Sequence, residues 1–315
     1  MARLTCSIVL LAVGVLAANA LAANAPATNI DHGVPIREAA IYISPDSSAQ
    51  RMGVIPRGRE MNILEPSPGW LHVFATTDQG KDVSGWIQDK GIVRASTPNG
   101  DRILFGEAVD SESEAQKRHG RKGADVDAGR LYMRVTEYFP NSPLAGEALY
   151  RAADIRWQID SVDVWTRPSA REQSPGMRPM IDEEMMKQVK KKYPGTKWAD
   201  LADFAMIDNK ICGEWKGESK CPEKEAEIYA KYAEERARSP KAAEALYNAA
   251  WRQSALIEIY KTEGDAGRSA SAKSKAAALA QRVVSSYPES DYATRAQRLV
   301  FMVQQGMPTY GSPSD

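Results

Sequence analysis

Three times in its C-terminal two thirds, and a fourth time in weaker form, the chain repeats one local pattern: an aromatic-proline turn, a short polar step, then alanines at helical spacing. Tyr138-Phe139-Pro140-Asn141-Ser142 precedes Ala145, Ala148 and Leu149, Tyr193-Pro194-Gly195-Thr196 precedes Ala199 and Ala202, and Tyr287-Pro288-Glu289-Ser290 precedes Ala293 and Ala296. In the weaker copy Ala237-Arg238-Ser239-Pro240 stands in for the turn, ahead of Ala242, Ala245 and Leu246. Proline stops a helix because it lacks an N–H and clashes with the preceding turn. A Ser or Thr shortly after it caps the next helix, and small alanines let two antiparallel helices approach closely. Each copy is therefore a helical hairpin with an apolar side that only a neighbour can cover, which predicts a stacked all-α array.

The array is expected over residues 102–306, with 307–315 as a disordered tail. Ala145, Ala148, Leu149, Ala152, Ile155 and Ile159 fall on one helical face, and Ala242, Ala245, Leu246, Ala249, Leu256 and Tyr260 on another. The preceding helices end in the turns, over 131–138, 185–193, 229–237 and 279–287, and residues 102–119 supply a leading helix. The turns recur at roughly 50 residues, longer than the ~34 of a minimal tetratricopeptide unit, so the units carry insertions. Trp165–Pro179, with Pro168, Pro175, Gly176 and Pro179, reads as a loop, and so does the polar, Gly/Ser-rich stretch Lys261–Ser274. Trp165 beside Arg167 is a candidate contact on the first loop, against the simpler reading that it tucks the loop onto the array.

Residues 34–95 follow a different rule: short segments rich in Val, Ile and aromatics, broken by Gly and Pro, as in a small antiparallel barrel. Strands are expected at Ala39–Ile43, Gly53–Ile55, Glu60–Leu64, Trp70–Phe74 and Val83–Ile87, with turns at Pro56-Arg57-Gly58 and Pro66-Ser67-Pro68-Gly69. The turn formers of 96–101, Ser96 to Asp101, carry no apolar period and read as a linker.

Gly53-Val54-Ile55-Pro56-Arg57-Gly58, Gly69-Trp70-Leu71-His72-Val73 and Gly85-Trp86-Ile87, closed by Gly91-Ile92-Val93, run in the order of the bacterial SH3-like domain, and residues 34–95 resemble that family. Where many members carry Asn-x-Arg in the first strand, this chain has Tyr42-Ile43-Ser44. The resemblance implies an SH3-like small barrel that binds extracytoplasmic peptides or wall fragments. Tyr42, Trp70, His72 and Trp86 are the candidate groove residues, since Tyr and Trp offer large rigid contact area at low entropic cost. The alternative is that both tryptophans pack the barrel core. Residues 125–305 similarly resemble the tetratricopeptide-like arrays of secreted bacterial envelope proteins, which implies a surface for peptides or partner domains.

Residues 1–22 read as an export signal: Arg3, the apolar run Ile8–Ala18, and the small-x-small site Ala20-Leu21-Ala22. Cys6 precedes the apolar run, where a lipid-anchored protein would carry its cysteine just after it. The expected destination is the periplasm or the exterior, with no membrane span in the mature chain. In that oxidising setting Cys212 and Cys221 are expected to form a disulfide that pins a loop between two helices. Forty-one basic residues balance 41 acidic ones, so no long-range field draws nucleic acid.

Only three histidines are present, His32, His72 and His119, and none follows Cys212 or Cys221, as a cysteine-type wall hydrolase requires. No zinc-ligand spacing, phosphate loop or nucleophile elbow occurs, and adjacent pairs such as Glu183-Glu184 and Glu234-Glu235 point apart on a helix. The expectation is a non-enzymatic adaptor of the cell envelope, without metal or cofactor, that binds proteins or peptides. The other expectation is a targeting or regulatory subunit of a peptidoglycan-active enzyme, its barrel reading wall fragments.

Overall fold

The computed structural model describes residues 31–311. The export signal expected at 1–22 lies outside the described residues. An N-terminal antiparallel sheet comes first: β1 (Asp31–Pro35), β2 (Ala39–Tyr42), β3 (Arg51–Ile55), β4 (Met61–Ser67), β5 (Trp70–Thr76), β6 (Asp82–Gln88) and β7 (Ile92–Val93). It curls into a half-barrel with strand order β3-β2-β6-β5-β4-β1-β7. Alternation decides what it encloses. Ile41, Ile55, Met61, Ile63, Leu71, Val73, Ala75 and Ile87 point inward and form its buried core. The strand β1, which the sequence reading left out, pairs Asp31–Gly33 with Met61–Ile63 and Val34–Pro35 with Ile92–Val93. The outer side of β3 is not left bare, since Asp78 N–H donates to Val54 O at 2.8 Å.

Nine helices follow among the described residues: α1 (Gly100–Ala115), α2 (Ala124–Tyr138), α3 (Ala145–Thr166), α4 (Glu184–Lys192), α5 (Lys197–Ala205), α6 (Lys220–Glu235), α7 (Ala242–Thr262), α8 (Ala266–Ser286) and α9 (Asp291–Gln305). The four turns share one geometry. Phe139, Tyr193, Arg236 and Tyr287 close their helices at φ/ψ of −130/58°, −128/53°, −132/48° and −135/53°. Three residues on, a hydroxyl accepts from a backbone N–H: Thr196 Oγ1 from Ala199 N and Ser290 Oγ from Tyr292 N cap α5 and α9, while Ser142 Oγ accepts from Leu144 N and Ser239 Oγ from Lys241 N in the turns just before α3 and α7. The weaker copy thus has Ala237 in the place of the turn proline, and its backbone follows the same path without it.

Two further expectations change. Lys261–Ser274 is a brief break and not a loop: Gly264 takes φ 79°, Asp265 caps α8 by accepting from Arg268 N at 2.9 Å, and the Ser/Ala/Lys run beyond is helical. Trp165 belongs to the last turn of α3, and the Pro-rich stretch after it forms 3-10 turns at Pro168–Arg171 and Pro175–Met177. Arg178 ties this segment down by donating to the carbonyls of Ala170, Asp208 and Ile211 at 3.0, 3.2 and 2.6 Å.

The linker expected at 96–101 does not separate two bodies, because the chain from Asp31 onward is one compact unit. Val34 and Val93 of the sheet share a hydrophobic cluster with Leu104, Ala108, Leu131, Tyr132 and Val135 of α1 and α2. Around it Arg130 and Arg134 donate to the carbonyls of Arg57 and Gly58 at 3.0 and 3.2 Å, and Tyr138 donates to Glu60 at 3.0 Å. Gly58 is required twice over at this seam. Its φ is +67°, and a Cβ there would stand 2.9 Å from the backbone N of Leu131.

Candidate functional site

The outer face of the sheet collects the residues that the core rejects. Tyr42, Trp70, His72 and Trp86 occupy positions out of phase with Ile41, Leu71, Val73 and Ile87, so they stand on the opposite face, half-buried, and contribute nothing to the barrel core. Register brings them together. Tyr42 pairs with Trp86, Trp86 with His72, and His72 with Glu65, forming one row across β2, β6, β5 and β4. The ring of His72 stacks on Trp86 with centroids 4.8 Å apart, and Tyr42 meets Trp70 edge-to-face at 5.8 Å. Ser84 Oγ lies 3.1 Å from His72 Nε2 and Glu65 Oε1 lies 3.8 Å from Nδ1, so both ring nitrogens have polar neighbours.

Phe74, the next outward residue of β5, stands beside this row and is 44% exposed. It was missed in the sequence, although Trp70, His72 and Phe74 alternate in plain view. Beside Tyr42 the surface dips into a cleft of about 530 Å³ bordered by Ile36, Ala39, Gln88 and Lys90. An aromatic platform next to a depression can hold an extended chain by stacking and edge contacts without any moving part.

Trp165, the fifth candidate, is not part of this face. It is 58% exposed in the last turn of α3, between Asp163 and Arg167, which form an ion pair.

A second aromatic cluster was not anticipated. The disulfide Cys212–Cys221, with Cα atoms 6.0 Å apart, closes the loop between α5 and α6 and thereby places Trp215 against Trp251 of α7 and Tyr310, at 5.2 and 5.4 Å between centroids. Behind them Glu225 accepts from Cys212 N and Trp215 Nε1, both at 3.0 Å, and from Arg252 Nε at 2.7 Å. Residues 307–311 are consequently not the disordered tail expected of 307–315: Thr309 meets Ser254 at 2.8 Å and Tyr310 is held by Trp215. No period links 215, 251 and 310, so nothing in the sequence marks the cluster.

Burial shapes the titration of the array. It pushes the Tyr229 and Tyr232 hydroxyls up to about 12. It also raises the carboxyls of Asp208 and Asp154, against the lowering effect of hydrogen bonds from Trp157 and Gln158 respectively. Among the described residues no group of three or more His, Cys, Asp and Glu is arranged to hold a metal ion, and no helix is long and apolar enough to cross a membrane. No protein-family model matches the chain, and no curated protein is significantly similar to it.

Proposed function

We propose that this protein is a non-enzymatic binding protein of the cell envelope, in which an SH3-like sheet and a tetratricopeptide-like array together hold protein or peptide partners outside the cytoplasm. The observation that carries this reading is the row Tyr42–Trp86–His72–Glu65, with Trp70 and Phe74 beside it, on a sheet face that the helices leave open. Rigid aromatics of this kind supply much of the energy of peptide recognition. Export is supported by the signal-like residues 1–22 and by the Cys212–Cys221 disulfide, a bond that persists in oxidising compartments.

The seam between sheet and helices gives this reading a specific form. With Val34 and Val93 packed into the α1–α2 cluster, a partner that bridges the two parts meets a fixed geometry and loses no freedom to a linker. The test is titration of the full chain with peptide libraries and with soluble peptidoglycan fragments, read by tryptophan fluorescence and by sedimentation with intact peptidoglycan. Saturable peptide binding that Trp86→Ala removes supports the proposal. Retention on peptidoglycan alone would move the assignment to a targeting subunit of a wall-active enzyme, and no response to either would refute both.

A further inference from the structure

The Trp215–Trp251–Tyr310 cluster borders a cavity of about 520 Å³ whose inner wall is Arg252. Trp251 and Tyr310 are tilted by 39° and 42° against Trp215, and the three rings form an aromatic wall on this open depression. Such walls often recognise cations, but here the cation position is already taken: the Arg252 guanidinium lies 4.4 Å from the Tyr229 ring centroid, 5.6 Å from that of Trp251 and 5.9 Å from that of Trp215. A second positive group would gain little from rings that already face one.

The hydrogen bonds of Arg252 point to the complementary guest. Nε is spent on Glu225 and Nη1 on the carbonyl and side chain of Asn248, whereas Nη2 has no hydrogen-bond partner among the described residues. The side chain is only 9% exposed, yet Nη2 is not sealed from solvent, so a guest can reach it and a charged acceptor there is worth more than in open water. Glu225 is neutralised by Arg252. Of the rim charges, Glu214 lies 3.9 Å from Arg171, while Lys216 is exposed and held at φ 52°.

We propose that this cavity binds an aromatic carboxylate, its ring packed against Trp215, Trp251 and Tyr310 and its carboxylate on Arg252 Nη2 with Lys216 at the rim. The guest is either a free aromatic acid or the C-terminal residue of a peptide ending in Phe, Tyr or Trp. Tyr310, on a segment fastened by Thr309 to Ser254, supplies one wall of the site.

The experiment titrates the full chain with N-acetyl-phenylalanine, with its amide, and with an N-acetylated tetrapeptide ending in Phe, following tryptophan fluorescence. The acid is expected to give a saturable change, with affinity about tenfold above the amide, the ratio expected of one charge-assisted hydrogen bond. Tyr310→Ala, at a residue whose one ring contact among the described residues is Trp215, is expected to weaken binding severalfold without altering the circular dichroism, and Trp86→Ala is expected to leave binding unchanged. Tighter binding of the tetrapeptide assigns the site to peptide C-termini, and equal binding assigns it to free acids. No saturable response, equal affinity for acid and amide, indifference to Tyr310→Ala, or loss on Trp86→Ala would each overturn the proposal. The last would place the guest on the sheet face instead, so failure here is distinguishable from failure of the sheet as a binding surface.

Discussion

Glu225 on α6 and Arg252 on α7 form a 2.7 Å ion pair in which the carboxylate keeps 2% and the guanidinium 9% of the side-chain surface exposed. Two charges so buried gain little over an apolar pair, but either one left alone is costly. Glu225→Leu strands the guanidinium together with the N–H groups of Cys212 and Trp215, and urea unfolding should show a loss of about 3–5 kcal/mol. Glu225→Leu/Arg252→Met should be more stable than Glu225→Leu alone. A double variant as unstable as the single one would mean that the pair is not the unit that matters.

The disulfide should act chiefly on the unfolded chain. Cys221→Ser is expected to lower stability by about 2.5–3 kcal/mol, in line with closure of a short loop. Dithiothreitol should lower the wild type equally and leave the variant unchanged. A variant as stable as the oxidised wild type would show that the loop is held by Arg178 and Glu225 without it.

Gly58 and Gly80 separate backbone strain from close packing. Both have positive φ, +67° and +75°, but a Cβ at Gly80 meets nothing within 4 Å while one at Gly58 meets α2. Gly80→Ala should cost about 1–2 kcal/mol from conformation alone. Gly58→Ala should cost clearly more in the same urea titration, because the seam must open. Equal losses would contradict the seam as a rigid joint.

Asp208 gives a signed pH effect. Burial raises its carboxyl in the folded chain, so its contribution favours folding while it is protonated, below the ordinary carboxylate value near 4, and is lost as pH rises through the folded-state value. Asn keeps an acceptor for Trp157 but carries no charge. The melting temperature of Asp208→Asn should therefore gain on that of the wild type between about pH 4 and pH 7. A constant difference across that range would contradict the assignment.

The elements that could be read in advance are those with a strong local code. The strands of 39–87 announced themselves by alternation, and the turn hydroxyls Ser142, Thr196, Ser239 and Ser290 by their spacing from the helix breaker. β1 was invisible because Asp-His-Gly-Val-Pro has poor strand propensity and exists only through its partners in β4 and β7. The start of α8 was obscured by its polar Ser/Ala/Lys composition, although Gly264-Asp265 is a stop-and-start signal. On the sheet face the aromatic residues were legible while their row was not, since it depends on register between strands. The Trp215 cluster depends on a disulfide, a helix and the C-terminal segment meeting in space, and no linear pattern encodes that.

The proposed function puts the docking of partners on the outer sheet face. It is tested most directly by placing the photo-crosslinker p-benzoyl-phenylalanine at Ser84, beside His72 and Phe74, and at the exposed α8 residue Gln281, in the full chain expressed in its cells. Illumination should yield discrete protein or peptide adducts from position 84, lost when Trp86→Ala is added, and none of comparable yield from position 281. Equal or absent crosslinking at the two positions would contradict the account.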